Sequence, residues 1–286
     1  MPFISYSQNR EDVVLHRVFS NKPRGFYIDV GANDPMDASV TKGLYELGWQ
    51  GINIEPVQSV FERLQADRPR DVNLNVGISN CSKTISFFEC PSPTTLSTFS
   101  EVEAEHRART LGLVYQRREV PVTTLADVCS LHVGGEIDFL SIDAENLERE
   151  VIEGNDWTRW RPKVLVIEDS IFGETGLQSH YSWEPPLIAA DYLFGLFDGI
   201  NRFYVRREDA DLLPLLRIPA NVQDNYVTYE TVCLRRELEV TRSSHDRPSI
   251  LAHELQRKLA HYPLLYAATK QIARIAFPRL WKSNAA

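Results

Sequence analysis

Carboxylates follow four of the short apolar runs in this chain of 286 residues. Phe26-Tyr27-Ile28-Asp29-Val30 runs into Gly31-Ala32-Asn33-Asp34-Pro35, and Gly51-Ile52-Asn53-Ile54 ends in Glu55. Ile137 to Ile142 leads into Asp143-Ala144-Glu145-Asn146, and Lys163 to Ile167 into Glu168-Asp169-Ser170. Such groups accept hydrogen bonds from hydroxyls and ammonium groups, take protons and bind hard cations. Taken singly, each serves equally well as a helix cap; Asp143, for instance, stands where it would satisfy the first amides of a helix. Gathered at one edge of a sheet they are costly without polar partners, so the set favours a site.

The elements that would gather them alternate along the chain. Strands are expected at 26–30, 51–55, 72–76, 137–142 and 163–168, with helices at 41–47, 57–66 and about 146–153. The run Val164-Leu165-Val166-Ile167 is the most apolar, as suits a central parallel strand buried on both faces. Strands at 84–88 and 119–122 flank a loop or short helix, and 203–205 with 225–234 are candidates for antiparallel edge strands. Strand–helix alternation over some 140 residues indicates an open, doubly wound, mostly parallel α/β sheet. Ligands bind such sheets beyond the carboxyl ends of the strands, where the carboxylates above stand.

Gly31 lets backbone come close to a ligand, but the flanking residues do not complete a GxGxxG phosphate cradle. Glu55 lies 24 residues beyond Gly31, the distance at which such folds hold two ribose hydroxyls. Capping of the helix after Pro56 is the equal alternative.

Composition narrows the function. The chain is 43% hydrophobic and 24% charged with a net charge of −8, an ordinary globular balance that argues against general nucleic-acid binding. Four scattered cysteines without a CxxC pair suit reduced thiols. The start lacks a signal-peptide pattern, and no apolar run is long enough to span a membrane, so a cytoplasmic location is expected. Residues 235–286 carry +6 against −14 for the remainder. A boundary near residue 240 separates a main domain, 1–240, from a basic helical extension, 241–286.

Ser5-Tyr6-Ser7-Gln8 with Glu11-Asp12, then Phe26 to Asn33, Glu55-Pro56, Val120-Pro121-Val122-Thr123-Thr124-Leu125 with Asp127, and Ile137 to Glu145 continuing to Glu153-Gly154 follow one another in a characteristic order. In this ordered set the chain resembles the FkbM family of S-adenosylmethionine-dependent methyltransferases, over roughly residues 5–170. Two positions depart from the family's usual pattern: Ser141 stands where lysine is common and Asn146 where glycine is common. The resemblance implies a class I, Rossmann-like methyltransferase fold and S-adenosylmethionine as cofactor. It implies methyl transfer to a hydroxyl of a sugar, glycan or secondary metabolite. It places Asp29, Gly31 and Asn33 around the amino-acid and ribose parts of the cofactor, Glu55 on the ribose, Asn75 and Gly77 near adenine, and Asp143 and Glu145 toward methyl group and acceptor.

An alcohol needs a base, or a metal that lowers its pKa. Asp143, Glu145 and His180 are the candidate bases; the alternative for His180 is an exposed place in the polar loop 174–183. Asp143, Glu168 and Asp169 form an oxygen set for Mg²⁺, although a metal is not the main expectation. Trp183 is a candidate for stacking on the acceptor, whereas Trp157 and Trp160 have the spacing of packing residues. Narrow apolar stripes in the extension (Ile250, Leu251, Leu255, Leu259; then Leu265, Ala268, Ile272, Ile275) suit packing on the domain or in a homo-oligomer, or else peripheral contact with an anionic membrane. The competing reading of the whole chain is a non-catalytic binding or scaffold protein that keeps the fold.

Overall fold

The computed structural model describes residues 2–169 and 180–243, the last three by backbone alone. In chain order, β1 (Phe3–Ser5) and α1 (Glu11–Val18) precede β2 (Phe26–Val30), α2 (Lys42–Glu46), β3 (Gln50–Ile54), α3 (Gln58–Asp67) and β4 (Val72–Leu74). Then come β5 (Gly77–Ile78), β6 (Lys83–Glu89), α4 (Glu101–Leu111), β7 (Gln116–Thr123) and α5 (Leu125–His132). The chain continues through β8 (Phe139–Ile142), α6 (Glu148–Glu153), β9 (Val164–Glu168), α7 (Glu184–Ala189), β10 (Tyr192–Phe197) and β11 (Asn201–Arg206). It ends in α8 (Leu213–Leu216), β12 (Tyr226–Thr228) and α9 (Tyr229–Ser243).

The main sheet has seven strands in the order β10-β11-β9-β8-β2-β3-β4. Six run in one direction and β11 alone is reversed, pairing antiparallel with both β9 and β10. This is a doubly wound, Rossmann-like sheet. Alternation along each strand separates two cores, as the two-residue period of a pleated strand requires. Ile28, Leu140, Ile142, Leu165 and Ile167 pack on one face, and Tyr27, Phe139, Val164 and Val166 on the other. With both faces covered, the four residues Val164 to Ile167 are buried, which explains the unbroken apolar run.

The sheet order turns back between β2 and β8. In register, Val30 stands beside Ile54 of β3 and Ile142 of β8, so the strand ends lie level and Gly31, Glu55 and Asp143 emerge side by side. A smaller sheet, β5-β7-β6, stands next to this edge, with α4 and the segment from Cys90 to Ser100 inserted between β6 and β7.

The other expected edge strand is corrected. Residues 225–234 do not form an antiparallel edge: Tyr226–Thr228 pairs parallel with Phe3–Ser5, and the chain becomes helical from Tyr229. The run Glu230 to Glu239 has only scattered apolar residues and several charged ones, which a helix face accommodates better than a strand.

The chain divides into two compact units, residues 1–228 and 229–286. In the second, the described part is α9; the apolar stripes expected after residue 249 lie outside the described residues. None of the described helices is long and apolar enough to cross a membrane. All four cysteines are free, with Cys90 and Cys129 buried.

Candidate active site

A cleft of about 290 Å³ opens at the carboxyl ends of β2, β3 and β8, where the strand order reverses. Gly31 has φ +80°, and a Cβ there would lie 1.8 Å from the Asp143 carbonyl oxygen, so only glycine fits. The amides of Gly31 and Ala32 both donate to the Ile54 carbonyl, at 3.0 and 3.1 Å, and that of Asp143 to Val30 at 3.0 Å. The first strand end is thus fastened to both neighbours.

Asp29 is buried below this turn, where it accepts from Thr41 Oγ1 at 3.0 Å; burial pushes its carboxyl up to about 6. Asn33, also at positive φ, lines the cleft, and its Oδ1 is buried without a hydrogen-bond partner. Glu55 accepts from the Asn33 amide at 3.0 Å with one oxygen and from the Val57 amide at 2.7 Å with the other. Burial holds its carboxyl at about 7. Glu55 thus holds the amide of Val57, just ahead of α3, rather than capping the helix's first turn, and each oxygen keeps a lone pair for a further donor. Gly77 lines the cleft and lies against Phe99, whereas Asn75 directs its amide to the Glu55 and Pro56 carbonyls and is absent from the lining.

Beyond β8 the carboxylates crowd. Asp143 opens onto the cleft, yet loss of water around it within the fold and the neighbouring Glu168 and Glu145 hold its carboxyl well above the usual carboxylate range. Glu145, raised to about 8 by burial and by Glu168, is paired with Arg107 at 3.2 Å. Glu145 and Asn146 have φ of 49° and 80°. Asn146 thus adopts the left-handed conformation that glycine takes most easily, and asparagine is among the few other residues that do so readily. The double turn brings Glu148 back toward the cleft, where its Oε1 accepts from the amides of Ala144 and Asn146. Burial raises Glu148 to about 7.

Two expectations are corrected here. The oxygen set is Asp143, Glu148 and Glu168, whose ligand atoms lie within 4.8 Å of one another, and Asp169 is not part of it. As the residue after Glu168, Asp169 points the opposite way. It sits 3.0 Å from His180 Nδ1, 3.3 Å from Arg202 Nε, and accepts from the His180 amide at 2.7 Å. His180 is therefore buried with Asp169, neither an exposed loop residue nor part of the cleft lining. Trp183 is likewise buried in the core against Tyr204 and is withdrawn as an acceptor platform. Trp157 and Trp160 pack against that same core. Residues 174–179 of the polar loop lie outside the described residues.

Sequence reasoning missed several groups. Glu11 and Gln8 enter the cleft wall because Asp12, fully buried, accepts from the hydroxyls of Ser5 and Ser7 and from the Tyr6 amide. Glu11 in turn accepts from Asn201 Nδ2 at 2.7 Å, and burial raises it to about 6. The clustering of Ser5, Ser7 and Asp12 was a readable signal of such a clamp. Phe87 and Phe99, with ring centroids 4.7 Å apart, close the other end of the cleft.

Among the described residues, the lining holds six carboxylates, from Glu11, Asp29, Glu55, Asp143, Glu145 and Glu168, and no Lys, Arg or His. A ligand with a cationic centre, such as a sulfonium or ammonium group, fits this wall, and the free Asn33 Oδ1 offers an acceptor beside it. The sequence profile described as the Methyltransferase FkbM domain matches residues 29–194, more than half of the chain, from the end of β2 through β9.

The chain belongs to the FkbM methyltransferase family.

Membership implies S-adenosylmethionine as the cofactor of this FkbM methyltransferase, and the acidic, partly buried cleft suits it. No curated protein matches the sequence. Among solved structures, it is similar to a TehB-like SAM-dependent methyltransferase from Corynebacterium glutamicum at 9% identity, covering 68% of this chain and 88% of that one, with a TM-score of 0.34. It is also similar to the putative methyltransferase yhhF from Escherichia coli at 11% identity, covering 71% and 88%, with a TM-score of 0.35.

Proposed function

We propose that this FkbM methyltransferase transfers a methyl group to a hydroxyl of a sugar, glycan or secondary-metabolite acceptor, with Asp143 as the base. The observation that carries the reading is the place of Asp143 at the end of β8, where desolvation first and then the crowding by Glu168 and Glu145 raise its proton affinity well above that of an ordinary carboxylate. A carboxyl so raised takes a hydroxyl proton more readily, whereas a normal carboxylate is too weak a base for an alcohol. Glu145, fixed by Arg107, orients the acceptor.

S-adenosylmethionine, when bound, supplies an already activated methyl group. The chain's own residues have to align and enclose. Asp29, Gly31 and Asn33 hold the amino-acid and ribose side, Glu55 accepts from the ribose hydroxyls, and Gly77 with Phe99 borders the adenine. Much of the rate gain is then the proximity of acceptor oxygen to methyl carbon. A divalent ion at Asp143, Glu148 and Glu168 is not needed for this scheme.

Titration with S-adenosylhomocysteine, followed by transfer of labelled methyl from S-adenosylmethionine to a panel of glycosides and polyols, tests the reading. Binding together with label in an alkali-stable ether supports it. Binding without transfer to any hydroxyl favours the scaffold alternative.

A further inference from the structure

Between β6 and β7 the chain passes over the cleft as a strap, Thr94 to Phe99, before entering α4. Thr94, Leu96, Ser97 and Phe99 line the cleft, and Phe99 lies against Gly77 at the end expected to take the adenine. The strap belongs to the smaller sheet, while the opposite lip is the Asp143–Asn146 turn after β8. A buried guanidinium links the two. Arg107 of α4 donates to the Leu96 carbonyl at 3.3 Å, to Glu145 Oε2 at 3.2 Å and to Glu103 Oε1 at 2.7 Å. Thr98 Oγ1 adds a bond to the Glu145 carbonyl at 3.0 Å.

We propose that Arg107 is a positioning residue which, through Glu145 and the Leu96 carbonyl, holds the strap closed over the cofactor end of the cleft. The assignment rests on the reading of this cleft as the cofactor site. Only a planar fork of donors serves a strap carbonyl and two carboxylates on different elements at once; an ammonium group on a flexible stem does not. Removing the fork leaves Glu145 beside Glu168 without its counter-charge and leaves the Thr98 bond to hold lip and strap, so the two part more readily. The adenine end then opens, and nucleoside leaves faster. Because Arg107 touches neither cofactor nor acceptor, its effect runs entirely through Glu145 and the strap.

The test measures S-adenosylhomocysteine binding and dissociation in the full chain, with Arg107→Met, Arg107→Lys, Glu145→Gln and the double variant Arg107→Met/Glu145→Gln. Loss of one charge-assisted contact predicts dissociation faster by about ten- to a hundredfold in Arg107→Met. The double variant should be no faster than Arg107→Met alone, because both changes break one link. Arg107→Lys should recover only part of the loss, and it carries the comparison if Arg107→Met does not fold. Unchanged dissociation in a folded Arg107 variant, or losses that simply multiply in the double variant, would overturn the assignment alone. Absence of binding in the unmutated protein would overturn the cofactor reading as well.

Discussion

The carboxyl groups of Asp143 and Glu168 share a hydrogen bond at the end of β8, and Glu148 brings a third carboxyl oxygen within 4.8 Å. Three such groups cannot all be ionised cheaply, so the cluster is under electrostatic strain that folding elsewhere offsets. Asp143→Asn removes one charge while keeping the shape. Thermal denaturation at pH 8 should show a small rise in melting temperature, small because Asp143 opens onto solvent that screens its neighbours. Near pH 5 the gain should vanish. Methyl transfer by the same variant should fall by about 10²–10⁴-fold, the range for loss of a general base. A variant that is neither more stable nor slower would remove Asp143 from the chemistry.

The pH dependence of stability follows from the same wall. Burial raises Glu11 and Asp29 to about 6, Glu55 and Glu148 to about 7, and Glu145 to about 8. The folded chain therefore binds these protons more tightly than the unfolded chain. The stabilisation is complete below the ordinary carboxylate range and is lost as pH rises through the raised values. The melting temperature should decline by several degrees between about pH 5 and pH 8. Over that window, affinity for cationic S-adenosylmethionine should rise more than affinity for S-adenosylhomocysteine, by calorimetry at each pH.

Glu55→Ala should weaken S-adenosylhomocysteine binding by about 2–4 kcal/mol if its oxygens hold two ribose hydroxyls. It should also cost about 1–3 kcal/mol of stability, because the Asn33 and Val57 amides lose their acceptor. Calorimetry on the folded variant separates the two effects. A loss of stability with unchanged affinity would leave Glu55 as an acceptor for those two amides alone.

Gly31→Ala should be among the most damaging single changes in the molecule. The new Cβ would meet backbone at 1.8 Å, and the left-handed φ adds its own strain. A loss of about 3 kcal/mol or more is expected, measured by chemical denaturation. The control is Gly112→Ala, also at positive φ but with nothing within 4 Å of its added Cβ, which should lose about 1–2 kcal/mol.

The parallel strands were readable because each is an apolar run stopped by glycine, proline or a carboxylate, and their register follows from stacking such runs. What local pattern does not carry is distance in sequence. The pairing of Phe3–Ser5 with Tyr226–Thr228 joins segments more than 220 residues apart, and three-residue strands have too little periodicity to announce it. The same holds within the site. Asp29, Glu55 and Asp143 sit at strand ends and were found there. Glu148 was missed because two consecutive left-handed residues, Glu145 and Asn146, reverse the chain before α6 begins. Asp169 was misplaced because the two-residue period of β9 sends neighbours to opposite sides, Glu168 to the cleft and Asp169 to His180.

Among the described residues no basic side chain lines the cleft, which bears on the charge of the molecules it suits. The guanidiniums nearby are already engaged: Arg107 by Glu103 and Glu145, Arg68 by Asp67 and the Pro35 carbonyl, Arg202 by Asp169. A uronate, sulfate or phosphate approaching the mouth meets like charge with no counter-ion to desolvate against, and it feels that repulsion from about a Debye length away. Discrimination then begins before contact. On the proposed reading, anionic relatives of an acceptor should bind more weakly than neutral ones, the more so as pH rises through the raised carboxyl values.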